Sequence, residues 1–182
     1  MPAHFERLVI TDPEQTSASQ TLRGQSFYFM RALNNDGGGG DNLDVGVILP
    51  DGTALAPIPI DGYVFTGTNL AEVEIIAGST TPCGGSGDPA IASSCTPSAR
   101  YRRWESNVGT IDQMLNDPQY LDDLPIPPDE ATVLTTSDLF ETPTSICDNC
   151  ESELVAWFKA PMSGTYTFKI ASDNNGLLDS AH

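Results

Sequence analysis

The stretch GTYTFKIASDNNG, residues 164–176, decides the fold class. Tyr166, Phe168 and Ile170 fall on one face and Thr165, Thr167 and Lys169 on the other, the period of two that marks a half-buried strand. Just upstream, ELVAWFKAP (153–161) reads as a second strand, and Pro161 to Gly164 supplies a tight turn. The two strands are therefore expected to pair as a β-hairpin over 153–172.

Working outward, the same grammar recurs. QTLRGQSFYFMRAL (20–33) alternates Phe27, Phe29 and Arg31 against Tyr28, Met30 and Ala32. NNDGGGGDN (34–42) is a glycine-rich loop, and LDVGVILPDG (43–52) is a strand ending in a Pro-Asp-Gly turn. APIPIDGYVF (56–65) is extended by its prolines and suits an edge position. AEVEIIAG (71–78) is a further half-buried strand, and ATVLTTSDLFETP (131–143) reads as strand then turn. Val108, Ile111, Met114 and Leu115 have helical spacing, which predicts one short helical segment near 108–116, ended by Asp117-Pro118. Many short strands with Gly/Pro turns and little helix predict an all-β protein, an antiparallel β-sandwich of jelly-roll-like form. Three regions are expected: strands over 1–78, a Gly/Ser/Thr/Pro-rich loop or linker over 79–100, and a second strand-rich region over 101–182.

Charge narrows the function. The chain holds 25 acidic residues against 8 Lys and Arg, a formal net charge of −17. Such a surface repels phosphate backbones and anionic lipid, which argues against nucleic-acid partners and membrane insertion. It suits divalent cations and solubility outside the cell. The sequence contains no apolar run of 18 residues. It opens without a charged-then-apolar leader, as expected of a mature form or a fragment.

The four cysteines form two close pairs. Cys83 and Cys95 bracket a glycine- and serine-rich loop, and Cys147 and Cys150 form CDNC. Two local disulfides in an oxidising compartment are the simplest reading. A zinc knuckle at CDNC would need a second ligand pair, and a thioredoxin-like redox site would need a βαβ context. The sequence has no Asn-x-Ser/Thr acceptor, so glycans on this chain would sit on Ser or Thr, for instance over 78–98.

No nucleophile elbow, zinc-protease motif or nucleotide loop occurs, and no catalytic residue is assigned; the chain reads as a non-enzyme that requires no cofactor. His4 and His182 lie at the chain ends, and Asp122-Asp123 and Asp129-Glu130 read as solvated pairs. Asp36, Asp41, Asn42 and Asp44 surround the tetraglycine and offer oxygen ligands for Ca2+, or simply cap turns. Trp104 and Trp157 could stack on sugar rings, although core packing is the commoner fate of tryptophans in sandwiches.

Several of these segments together resemble the protective-antigen-type domain family. ELVAWFKAPMSGTYTFKIASDNNGLL (153–178) resembles its signature hairpin, and WESNVGTIDQMLNDPQYLDDLPIPPDE (104–130) with SDLFETP (137–143) resembles its opening segment. GQSFYFMRALNNDGGGGDNLDVGVILPDG (24–52), followed by APIP (56–59), resembles its closing strands. The family's two halves thus stand in reversed order along this chain. The resemblance implies a cell-surface or secreted module with itself as partner: a subunit of a head-to-tail filament or array in which neighbouring chains complete each other's sandwich. Closure of both halves within one chain is the rival arrangement. The family's adhesin branch also implies a calcium-assisted glycan site at the end of the Tyr-Thr-Phe strand. There Asp173-Asn174 stands in place of two aspartates, which removes one hard carboxylate and favours a simple turn.

Overall fold

The computed structural model describes residues 15–38, 41–66, 96–105, 110–111, 114, 129–173 and 175–181. The expected strand at 71–78 and the first cysteine pair, Cys83 and Cys95, lie outside the described residues, as does Asn174.

Two antiparallel sheets pack face to face, as the sequence pattern predicts. The first, of five strands, is built around β11 (Gly164–Ser172), which pairs with β4 (Leu43–Ile48) on one side and with β1 (Gln15–Thr16) and β2 (Gln20–Leu22) on the other. β4 then pairs with the short β5 (Ala54–Leu55). The second sheet, of seven strands, is built around β10 (Glu151–Lys159). It is flanked by β3 (Phe27–Asn35), with β12 (Asn175–Ala181) beyond. On its other side run β6 (Val64–Thr66), paired to β7 (Thr96–Pro97), and β8 (Ala99–Trp104), paired to β9 (Glu130–Leu134).

The hairpin expected over 153–172 does not form, because β10 and β11 lie in different sheets. Their link, residues 160–163, is an arch across the interior. It is held by the turn before β3: Gln25 N–H donates to Ala160 O at 2.7 Å, Ala160 N–H to Ser26 O at 3.0 Å, and Gly24 N–H to Ser163 Oγ at 2.9 Å. Tyr166 donates its hydroxyl to Met162 O at 2.5 Å, fixing the arch from inside. A Cβ on Gly24 would stand 2.7 Å from Ser163 N, so the two turns meet backbone to backbone only because Gly24 has none. The arch turns the apolar faces of successive strands toward each other. Phe158 of β10 meets Tyr166 and Phe168 of β11 edge-on, at ring separations of 5.8 and 5.4 Å. Paired side by side in one sheet, those rings would not close a core.

The core runs between the sheets through Met30, Val45, Val47, Leu154, Phe158 and Tyr166. The alternation read from the sequence holds: Tyr166, Phe168 and Ile170 point inward, and Met30 and Ala32 join them from β3. The prolines of 56–59 do not make an edge strand. Ile58 and Ile60 are fully buried in a crossing from the first sheet to the second, where Ile58 N–H donates to Val45 O and Ile60 N–H to Asp138 O. Pro57 and Pro59 occupy the alternate positions, where the missing N–H goes unneeded. Of the expected helical segment, Ile111 and Met114 are helical, with Met114 N–H donating to Thr110 O at 3.1 Å. Met114 is buried against Leu33 and Leu177 on the outer face of the second sheet.

Strands from both ends of the chain interleave. β3 registers with β10 over the nine residues of each strand, and β4 with β11 from Leu43 to Ile48. Strands from the first and the last third of the chain thus share both sheets.

Candidate functional site

At one end of the sandwich, the loop after β3 runs beside the insert that precedes β10. Asp36 N–H donates to Cys150 O at 2.9 Å, Ser145 N–H to Asp41 O at 2.9 Å, and Thr142 N–H to Leu43 O at 2.8 Å. Gly38, at φ 122°, takes a backbone conformation that glycine adopts without strain. Ser145 and Asn149 adopt positive φ, 57° and 59°, and wind 145–150 into a tight knot. This geometry drives the Asp41 side chain inward, where the residue is 1 % exposed. Its Oδ1 accepts from Ile146 N–H at 2.7 Å and from Cys147 N–H at 3.3 Å.

The expected Cys147–Cys150 disulfide is present. Asp41 Oδ2 lies 3.8 Å from Cys147 Sγ and 3.7 Å from Cys150 Sγ. Among the described residues, Asp41, Cys147 and Cys150 are the one group of three metal-competent side chains whose ligand atoms lie within 4.8 Å of one another.

The proposed calcium ligands are not gathered in this way. Asp36 Oδ1 accepts from Gly38 N–H at 3.0 Å, closing its own turn. Asp44 faces Glu141 across an isolated bridge. Burial raises the pKa of both carboxyls, and for Glu141 the neighbouring Asp44 adds to it. Asp173 is exposed and donates its N–H to Asn42 O at 3.2 Å, so the loop after β11 sits beside the glycine-rich loop. Asp41 itself is turned away from that edge, toward the sulfurs.

A second centre lies on the outer face of the seven-stranded sheet, and sequence reasoning missed it. Glu153 of β10 is fully buried between Arg31 of β3 and Arg102 of β8. Arg31 Nε donates to its Oε1 at 2.7 Å and Arg102 Nε to its Oε2 at 2.6 Å, with Arg100 Nη2 at 3.7 Å. Burial alone would push the Glu153 carboxyl up, but the guanidiniums of Arg31, Arg102 and Arg100 outweigh it and hold it below the usual range. Three of the chain's eight cationic side chains thus converge on one carboxylate. The signal was present in RYRRW (100–104), where Arg100 and Arg102 recur at a period of two and so share a face with each other.

Both tryptophans lie on this outer face. Trp104 is 3 % exposed, with the Arg102 guanidinium over its ring at 5.2 Å, so the expectation that it stacks on sugars gives way to packing. Trp157 is partly exposed and meets Phe29 edge-on at 5.6 Å. On the core side, Tyr101 is buried, and loss of solvent raises its hydroxyl pKa to about 12, so it stays protonated.

Comparison of the chain with protein-family models, with curated proteins and with solved structures returned no match in any of the three.

Proposed function

We propose that this chain is an extracellular structural or adhesive module, the subunit of a filament or surface array. The observation that carries this reading is the interleaving of the two segments, nine residues of β3 against nine of β10. Each segment alone would leave strand edges and half a core open to water. A sandwich built from sequence-distant halves can close within one molecule or exchange halves between neighbours with the same register. The acidic surface and the disulfide fit a protein that works outside the cell.

The test is sedimentation and electron microscopy of the native material. Fibres or ladders support the array. Strict monomers of 19.4 kDa at every concentration overturn it. A pair of cysteines replacing Ala32 and Leu154, which are in register across β3 and β10, then separates the two modes of assembly. Chains locked internally still polymerise if whole sandwiches stack, and fail to polymerise if neighbours exchange halves.

A second reading is a calcium-assisted carbohydrate-binding module. The meeting of Asp173 with Asn42 favours it, because two oxygen-rich loops from distant parts of the chain share one edge. Calorimetric titration with Ca2+, with and without Asp173→Ala, tests it. Equal heats in both proteins sink it.

A further inference from the structure

We infer that Asp41, Cys147 and Cys150 form a redox-gated site for a thiophilic divalent cation, closed by the disulfide and opened by its reduction. The argument begins with an oxygen that the disulfide leaves unexplained. Asp41 is 1 % exposed, and its Oδ1 is satisfied by two backbone N–H groups. Among the described residues, its Oδ2 faces only the two sulfurs, at 3.8 and 3.7 Å. Sulfurs joined to each other carry no proton, so in the oxidised state this buried carboxylate oxygen has no donor. Leaving such an atom without a partner is costly, and structures rarely do it without a reason.

Two states of the same side chains supply a partner. With the cysteines reduced, each S–H can donate to Oδ2. With the thiols ionised, the two sulfurs and Oδ2 form three convergent anionic ligands. CDNC has the two-residue spacing of zinc-binding cysteine pairs, and Asn149 at φ 59° turns the chain back between them. The second ligand source that the sequence lacked near CDNC arrives from the glycine-rich loop. Two sulfurs and one carboxylate leave a fourth tetrahedral position for water, and sulfur ligation favours Zn2+ over Ca2+. The N–H groups of Ile146 and Cys147 already hold Oδ1 and orient the carboxylate.

The chemistry balances. A dithiol reductant gives two electrons and two protons; the Cys147–Cys150 bond breaks, two thiols form, and the reductant closes its own disulfide. On binding the cation, the two thiols release two protons to water. Exchange with a small-molecule disulfide reverses this: the two thiolates give it two electrons, it takes two protons from water and becomes a dithiol, and the Cys147–Cys150 bond re-forms as the ion leaves.

The probe is Co2+, whose thiolate charge-transfer absorption reports sulfur ligation directly. The full-length protein is reduced with a phosphine, which takes its oxygen from water and leaves no competing thiol, and is then titrated with Co2+ and back-titrated with Zn2+. The expected result is a saturable thiolate band at one ion per chain, absent from the oxidised protein and from Cys147→Ser, and displaced by Zn2+. Asp41→Asn keeps the Oδ1 acceptor and so preserves the loop, while weakening binding by about tenfold or more. A band that persists in Cys147→Ser places the ion on Cys83 and Cys95 and overturns the inference. So does the lack of any band in the reduced wild type, or a band with the same affinity in Asp41→Asn.

Discussion

Glu153 and Asp41 are both carboxylates withdrawn from water in a strongly acidic chain, yet they are held by opposite means. Glu153 sits near the start of β10, on a sheet face, with the guanidiniums of Arg31, Arg102 and Arg100 around it. Asp41 sits in a loop, held by two backbone N–H groups, with no cation beside it among the described residues and two bonded sulfurs before its other oxygen. Charge neutralisation makes the first a structural clamp joining β3, β10 and β8. Leaving the second without a counter-charge makes it suited to a positive ion. A buried charge paired on all sides is spent on the fold, whereas one satisfied on a single side keeps chemical capacity.

Substitution at Glu153 gives the largest expected effect. Glu153→Gln keeps the shape and removes the charge, stranding buried guanidiniums, and should cost about 3–5 kcal/mol in denaturant melts. A loss below about 1 kcal/mol would mean that water already screens the cluster. Arg31→Met removes one partner and its short hydrogen bond, at an expected cost of about 2 kcal/mol. The comparison is sharpest at Asp41. The oxidised Asp41→Asn variant should melt within about 1 kcal/mol of wild type, because Oδ1 still accepts both N–H groups. Asp41→Ala leaves those two groups without an acceptor and should cost about 1–3 kcal/mol. If Asp41→Asn proves as damaging as Glu153→Gln, the two carboxylates are held alike and the contrast fails.

Acid titration gives the smallest effect and distinguishes signs. The folded pKa of Glu153 is lowered, so its stabilisation is present above the ordinary value of 4.5 and is lost as pH falls through the folded value. Asp44 and Glu141 are raised, so their contribution has the opposite sense: present at low pH, and lost as pH rises through their folded values above 3.8 and 4.5. Glu141→Gln should therefore stabilise the protein at neutral pH, while Glu153→Gln should flatten the loss of stability below pH 4.5. Melting curves across pH check both, and the same slope in all three proteins would refute the assignment.

Much of the strand content was legible. β3, β4 and β11 follow from alternation and turn residues, because a strand with one face in a core must repeat every second residue. Of the candidate site, the CDNC disulfide was legible and its carboxylate was only half so. Asp41 was singled out as a calcium ligand beside the tetraglycine, yet it points to cysteines 106 and 109 residues away along the chain. Nothing local distinguishes it from Asp36 or Asp44, since each is an aspartate next to glycine or a strand end. The Glu153 cluster escaped notice for a related reason: its members come from three strands, and each alone resembles a solvent-facing charge.

The sequence by itself determined the all-β class, the inward faces of the strands and the local disulfide, because each depends on residues within a few positions of one another. The tertiary structure alone decided which strands are neighbours. The link 160–163 has the length and residues of a hairpin turn, and it becomes an arch because the 23–26 turn docks on its backbone and because Phe158 gains Tyr166 and Phe168 only from across the interior. Strand pairing is chosen by burial summed over the whole core, and that sum does not exist until both ends of the chain have met.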